Sequence, residues 1–374
     1  MNEAQKLYAA MGATPVINAL GNRTMLGGSN PASEVLEAMR TANRYYVDMD
    51  ELFEGTGKVI AQWLECEAAL VTPGCAAALF LGTAACMTGT YPDKMEQLPD
   101  VTGLKSEIVI QKAQRYKYDR VVRLPGTRLV EVGTESGTTA EQLAAAIGPN
   151  TAAVLYPLID APGDLVPLQE AIAIAHQGGA PIIVDAAYRV YPLEGLKQYT
   201  AWGADLVGYG AKYFGAPNSS GILCGRRDLV EAARLHSFAS FEKRDSRGVG
   251  RPLKIDRQEV IGVVVALRHW LDMDHGQRHA EAARRSRNLL AALQGTAHLE
   301  LPGDGDDSRM ANFTVRPDES ALGKSATDIA DALQNGNPSI WTMSGNGAIH
   351  FSMFTVVDGD EEVIAERFKE IVGS

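Results

Sequence analysis

Six short apolar runs, separated by stretches of helical period, constrain this chain more than any other feature. AALVT (68–72), EIVI (107–110), LVEV (129–132), AAVLY (152–156), PIIVDAA (181–187) and DLVGY (205–209) are bounded by Gly, Pro or charged residues. Short runs that stay apolar without alternating are what strands buried on both faces require. Between them, TTAEQLAAAIG (138–148) and LQEAIAIAHQGG (168–179) carry helical spacing, and paired glycines stop the second. The alternation predicts βαβ units, hence an α/β fold with a mostly parallel sheet and helices on both faces.

The flanks read differently. Asn30-Pro31 predicts a helix N-cap with proline in the first turn, opening a helix through Met39. GVGRPLKID (248–256) leads into one long helical pattern from Arg257 to Leu293. NFTVRP, ATDIADALQNG, SIWTM, AIHFSMF and EEVIAERFKEIV then carry strands and helices in alternation. A chain of 374 residues exceeds one ordinary compact domain. The expectation is a large α/β domain over 46–250 and a smaller α+β lobe over 251–374, with the segment 1–45 packing beside that lobe.

Composition narrows the function. Hydrophobic residues at 45% and charged residues at 22% suit a soluble globular protein. No apolar run is long enough for a bilayer, and MNEAQKLYAAMGATP does not read as a signal peptide. Cys66, Cys75, Cys86 and Cys224 show no CxxC spacing, which predicts a reducing, cytoplasmic setting. A net charge of −11 argues against a nucleic-acid partner, and Arg284, Arg285 and Arg287 read as a solvated helix face. The seven histidines lack metal-ligand spacing, so no metal is expected.

Open α/β sheets bind ligands at the carboxyl ends of their strands, and three features fall there. Thr72-Pro73-Gly74-Cys75-Ala76-Ala77-Ala78 turns a strand into an alanine-rich helix, a plausible anion cradle or simply a tight turn. Asp185 ends PIIVD, where a buried carboxylate must cap, pair or function. Lys212, in DLVGYGAKYFGAPNSSGILCGR, stands among glycines and alanine just past a strand, where small neighbours admit a bulky ring. Desolvation there moves a lysine towards Schiff-base chemistry. The order of cradle, aspartate and lysine favours pyridoxal phosphate, with Asp185 holding the ring nitrogen protonated. No GxGxxG run supports a nicotinamide dehydrogenase instead.

PVINALGNRTMLGGS (15–29), EAALVTPGCAAAL (67–79), VDAAYR (184–189), the lysine segment and GRPLKIDRQEVIG (250–262) give nearly the whole chain a known look. It resembles the selenocysteine synthase-like branch of fold-type I pyridoxal phosphate enzymes, which includes D-glucosaminate-6-phosphate ammonia lyase. The resemblance implies phosphate contacts from Gly74, Cys75 and Ala76, a ring partner at Asp185 and a Schiff base at Lys212. It also places Ala187, Tyr209, Ser219, Ser220 and Arg251 at the cofactor, the last three near its phosphate and across a subunit interface. Arg251 has an equal reading as a packing residue; for Tyr188 and Tyr209, core aromatics are the commoner reading.

Departures qualify the reaction. Relatives carry a QRGHR-like pattern with a ring-stacking histidine; this chain has Gln111-Lys112-Ala113-Gln114-Arg115, which leaves Gln114 over the ring. Arginines that relatives carry near SIWTM and HFSMF are absent, which speaks against a phosphorylated sugar acid. The expected activity is a lyase of amino-acid metabolism: an external aldimine forms, Lys212 takes the α-proton, and β-elimination follows. A racemase, an aminotransferase and a non-catalytic cofactor-binding scaffold are the alternatives. Arg23, Arg189, Arg309 and Arg316 are the candidates for a substrate carboxylate, with Arg23 favoured because it lies in a matching segment. Fold-type I membership implies a homodimer or larger homo-oligomer.

Overall fold

A computed structural model describes residues 3–243 and 247–373. The chain divides into two compact units, Ser29–Asp272 and Met1–Gly28 with Met273–Ser374. The expected boundaries therefore move: 29–45 and 251–272 belong with the large unit. Helix Ser33–Ala42 packs so tightly on helix Arg257–Asp272 that a Cβ at Gly262 would lie 3.0 Å from Met39 Sδ. Trp270 Nε1 also donates to the Val190 carbonyl at 3.0 Å, tying the far end of that helix to the same unit.

The strands in chain order are β1 (Val16–Asn18), β2 (Ala68–Thr72), β3 (Glu107–Gln111), β4 (Arg128–Val132), β5 (Thr151–Pro157), β6 (Ile182–Asp185), β7 (Leu206–Gly210) and β8 (Gly221–Gly225). They continue with β9 (Leu299–Glu300), β10 (Asn312–Pro317), β11 (Ser339–Trp341), β12 (Met343–Gly345) and β13 (Ala348–Ser352). The large sheet has the order β2-β8-β7-β6-β5-β3-β4. It is parallel except for β8, which runs antiparallel to both β2 and β7. All seven residues of β5 and all four of β6 are buried, as strands covered on both faces must be. All six expected strands of this sheet are present. The smaller unit holds the four-stranded sheet β12-β13-β10-β9, while β1 pairs in parallel with β11.

Two helix expectations are corrected. The first helix of the large unit begins at Ser33, with Ala32 at its N-cap, so Asn30 caps nothing. The long pattern from 257 to 293 is two helices, Arg257–Asp272 and His275–Leu293. Asp274 separates them by accepting from the Gln277 N–H at 2.9 Å, the bond of an N-cap.

One buried group predicts a pH response. His236 is 0% exposed and shares a 2.9 Å hydrogen bond between its Nε2 and Thr88 Oγ1. Burial pushes the imidazole down from 6.5 to about 4. The native state thus binds fewer protons than the unfolded chain between those values, and stability falls as pH drops through that window. At 1.36 kcal/mol per unit the loss is about 3 kcal/mol by pH 4. Urea unfolding at pH 7 and pH 4 should show a smaller acid loss for His236→Gln than for the native protein. Equal losses would refute this assignment.

Candidate active site

Asp185 closes β6 and Lys212 follows β7, its in-register neighbour with Asp185 opposite Gly208. Strand β2 runs in the same direction as β7 on the other side of β8, and both Thr72 and Gly210 pair with Gly221. The carboxyl ends of β2, β6 and β7 therefore share one edge of the sheet, where this architecture binds ligands.

The cradle is helix Gly74–Thr88, entered directly from β2. Its N-cap Pro73 makes no side-chain cap, so no N-cap side chain satisfies the first-turn N–H groups. Gly74 sits at φ +84°, a left-handed turn that other residues resist. Gly221 supports it from beneath: a Cβ there would lie 2.5 Å from the Gly74 carbonyl carbon and 2.6 Å from the Cys75 nitrogen. Ala76, in the first turn, is exposed. An anion seated on these N–H groups is what an uncapped helix N-terminus favours.

Asp185 is buried, 8% exposed, and held by donors alone. Oδ1 accepts from the Ala187 N–H at 3.0 Å and from Cys75 Sγ at 3.5 Å, while Oδ2 accepts from the Tyr116 hydroxyl. Among the described residues no cation pairs with it. Asp205 makes the contrast: it is equally buried but bonded to Arg226 at 2.8 Å and His176 at 2.9 Å. Burial raises the Asp185 carboxyl above its usual range, opposed by the three donors. Burial and the neighbouring Asp185 push the Cys75 thiol well up, so it remains a donor.

Lys212 is 9% exposed, in the turn Ala211–Phe214. That turn is fixed by Ala211 N–H to Ser220 O at 3.0 Å and Ala216 N–H to Ala211 O at 3.1 Å. Its Nζ lies 5.1 Å from the centre of the Tyr213 ring, and Tyr188 meets Tyr213 edge-on at 6.3 Å. Tyr188 also donates to the Leu158 carbonyl at 2.9 Å.

Other expected residues are placed differently. Gln114 is buried with its amide occupied: Nε2 donates to Pro157 O at 2.9 Å and Oε1 accepts from Gln111 Nε2 at 3.1 Å. Tyr209 faces away from the cradle. Gly208 points at Cys75 Sγ, and alternation turns Tyr209 to the other face, where its hydroxyl donates to Gly195 O at 3.1 Å. Its side chain is a core aromatic rather than a cofactor contact. Ser219 pairs with the Glu259 carboxylate, and Ser220 donates to Pro217 O at 2.6 Å, so both hydroxyls serve the loop. The Ser219 carbonyl is nonetheless 3.8 Å from a Cβ built on Gly74, which brings this loop beside the cradle. Arg251 is engaged by Glu242 at 2.5 Å and lies 6.0 Å from the Phe241 ring. Arg189 bonds Leu158 O at 3.1 Å and Asp160 at 3.3 Å. Arg23, Arg309 and Arg316 belong to the smaller unit, where Arg316 donates to Asn346 O and Arg23 lies 4.0 Å from Met343 Sδ. Tyr116, absent from the sequence expectations, is the residue the structure adds.

The donor set suits a phosphorylated pyridine aldehyde: helix N–H groups without an N-cap side chain, a carboxylate held by neutral donors and a buried amine at one sheet edge. A fold with this site is that of a fold-type I pyridoxal phosphate enzyme. The chain belongs to the aminotransferase class-V family, which matches residues 10–350. It is 34% identical to the 5'-C-glycyluridine monooxygenase-decarboxylase of a Streptomyces species, over 98% of this chain and 92% of that one. It is 30% identical to the D-glucosaminate-6-phosphate ammonia lyase of Salmonella typhimurium, over 98% and 97%. Identity to the L-seryl-tRNA(Sec) selenium transferase of Desulfomicrobium baculatum is 25%, over 96% and 82%. A solved D-glucosaminate-6-phosphate ammonia-lyase superposes with a TM-score of 0.86, at 28% identity and 98% coverage of both chains. The cofactor is pyridoxal 5'-phosphate, and the resemblance read from the sequence holds.

Proposed function

We propose that this enzyme is a lyase acting on an amino acid or amino sugar acid, breaking the Cα–H bond and a bond from Cβ to a leaving group. Hydrolysis of the resulting unsaturated amine then gives a keto acid and ammonia. The observation that carries this is the placement of Lys212 and Asp185 on neighbouring strands beside an uncapped helix N-terminus. The 30% identity to an ammonia lyase adds the direction of the reaction. That relative's phosphorylated substrate is not carried over.

When bound, pyridoxal phosphate supplies a carbonyl for covalent attachment and a ring that withdraws electrons from Cα. The chain's residues supply the rest. First-turn N–H groups from Gly74, Cys75 and Ala76 orient the phosphate. Asp185 accepts the ring N–H. The Lys212 amine takes the proton at Cα, with the Tyr213 ring beside it. The enzyme works as a homo-oligomer in the cytoplasm. No described helix is long and apolar enough to cross a membrane.

The 34%-identical monooxygenase-decarboxylase favours a second reading, oxygen-dependent decarboxylation of a glycine-like substrate. A panel of α-deuterated amino acids and amino sugar acids, run with and without oxygen, separates the two. Equal amounts of keto acid and ammonia, with loss of label and no need for oxygen, are expected. Carbon dioxide released only in air selects the second reading. Exchange without keto acid would mean racemisation, and amino transfer to an added keto acid would mean an aminotransferase.

A further inference from the structure

We propose that Tyr116, acting with Cys75, is a positioning residue that fixes the Asp185 carboxylate so that a single acceptor position stays open for the ring N–H of the cofactor. The proposal rests on Asp185 as the ring partner. A carboxylate offers about four lone-pair positions. The Ala187 N–H and the Cys75 thiol take those on Oδ1, and the Tyr116 hydroxyl takes one on Oδ2. Among the described residues nothing takes the second position on Oδ2, the oxygen Tyr116 already holds.

Tyr116 is built to keep that contact. It lies just beyond the turn Lys112–Gln114 that follows β3, so its hydroxyl reaches past β5 to the end of β6. Its backbone is pinned by buried Asp119, whose Oδ2 accepts the Tyr116 N–H at 3.1 Å and pairs with Arg115 at 2.5 Å. Tyr118 meets the Tyr116 ring edge-on at 5.9 Å. Burial and Asp185 push the phenol well above its ordinary range, so it serves only as a donor. Cys75 has its own provision: Gly208, opposite Asp185, leaves space where a Cβ would lie 3.1 Å from the sulfur. Without the two donors the carboxylate can rotate, and burial drives it towards its neutral form, which cannot hold a ring cation.

The test compares the native enzyme with Tyr116→Phe, which keeps the ring and removes the donor, and with Asp185→Asn. Pyridoxal phosphate is titrated into each stripped protein, and the visible band of the loaded enzyme is followed against pH. Tyr116→Phe should weaken cofactor affinity about tenfold, the scale of one hydrogen bond to a charged group. It should also displace the band's pH midpoint, with thermal stability changed by only about a few degrees. Cys75→Ala, which removes the other side-chain donor, should move affinity and midpoint in the same direction as Tyr116→Phe. Native affinity and midpoint in Tyr116→Phe would overturn the proposal. So would a fall in thermal stability with an unmoved midpoint, since that marks packing alone. If Asp185→Asn leaves affinity and midpoint unchanged, the ring-partner reading fails on its own evidence.

Discussion

Lys212→Ala is expected to abolish the borohydride-reducible visible band of the loaded enzyme and to lower turnover by at least about a hundredfold, up to about ten-thousandfold. The argument is geometric. Lys212 sits in a turn held from both ends by backbone hydrogen bonds, and Gly215 at φ +84° closes it. The amine is presented from a rigid support, not from a flexible loop. Its four-carbon stem is buried, so alanine leaves a void in place of a proton acceptor, and no described lysine stands beside it in sequence. Lys197 is a suitable control: it is half-buried and paired with Glu65 at 2.6 Å. Lys197→Ala should keep both band and turnover. Peptide mapping after borohydride should place the cofactor's mass on the peptide containing Lys212. A reducible band that persists in Lys212→Ala, with the label on another lysine, would reassign the site.

The parts of this enzyme that the sequence disclosed are those where local pattern and tertiary role coincide. Strands β2, β3, β5, β6 and β7 are short apolar runs because both faces of the sheet are covered there, so burial wrote itself into composition. Asp185 and Lys212 stood out because a charge in such surroundings needs a reason. Strand β8 was not marked as a strand: GILCG has three apolar residues between glycines, and those glycines are there for packing. Tyr116 was hidden for a related cause. RYKYDR reads as a solvated polar segment, and the partner that gives its tyrosine meaning is 69 residues away. Gln114, expected over the ring, is buried with its amide bonded to Gln111 and Pro157, contacts that the local pattern did not announce. The break at Asp274 was legible in principle, since an aspartate before a helical run is a capping signal, yet the apolar period on either side concealed it.

Gly221→Ala should damage the cradle more than any other single methyl group in the large unit. Gly221 opens β8 and pairs with Thr72 on one side and Gly210 on the other, which places it under the first residues of helix Gly74–Thr88. The added Cβ would stand 2.5 Å from the Gly74 carbonyl carbon, 2.6 Å from the Cys75 nitrogen and 2.8 Å from the Tyr209 oxygen. All three are backbone atoms, so no side chain can swing away, and the strand or the cradle must move. Overpacking of this kind costs about 1–3 kcal/mol. If the displacement is taken up by the cradle, cofactor affinity falls about tenfold to a hundredfold, because each 1.4 kcal/mol is a factor of ten. Gly215→Ala is the comparison, since nothing lies within 4 Å of a Cβ there and its φ of +84° leaves only backbone strain. The cofactor dissociation constant and the thermal midpoint, measured on both variants, separate the effects. Gly221→Ala should lose affinity out of proportion to stability, whereas Gly215→Ala should lose stability first. An unaltered affinity in Gly221→Ala would mean that the Gly74–Cys75 backbone is not what seats the phosphate, and the anion site would have to be sought elsewhere along the sheet edge.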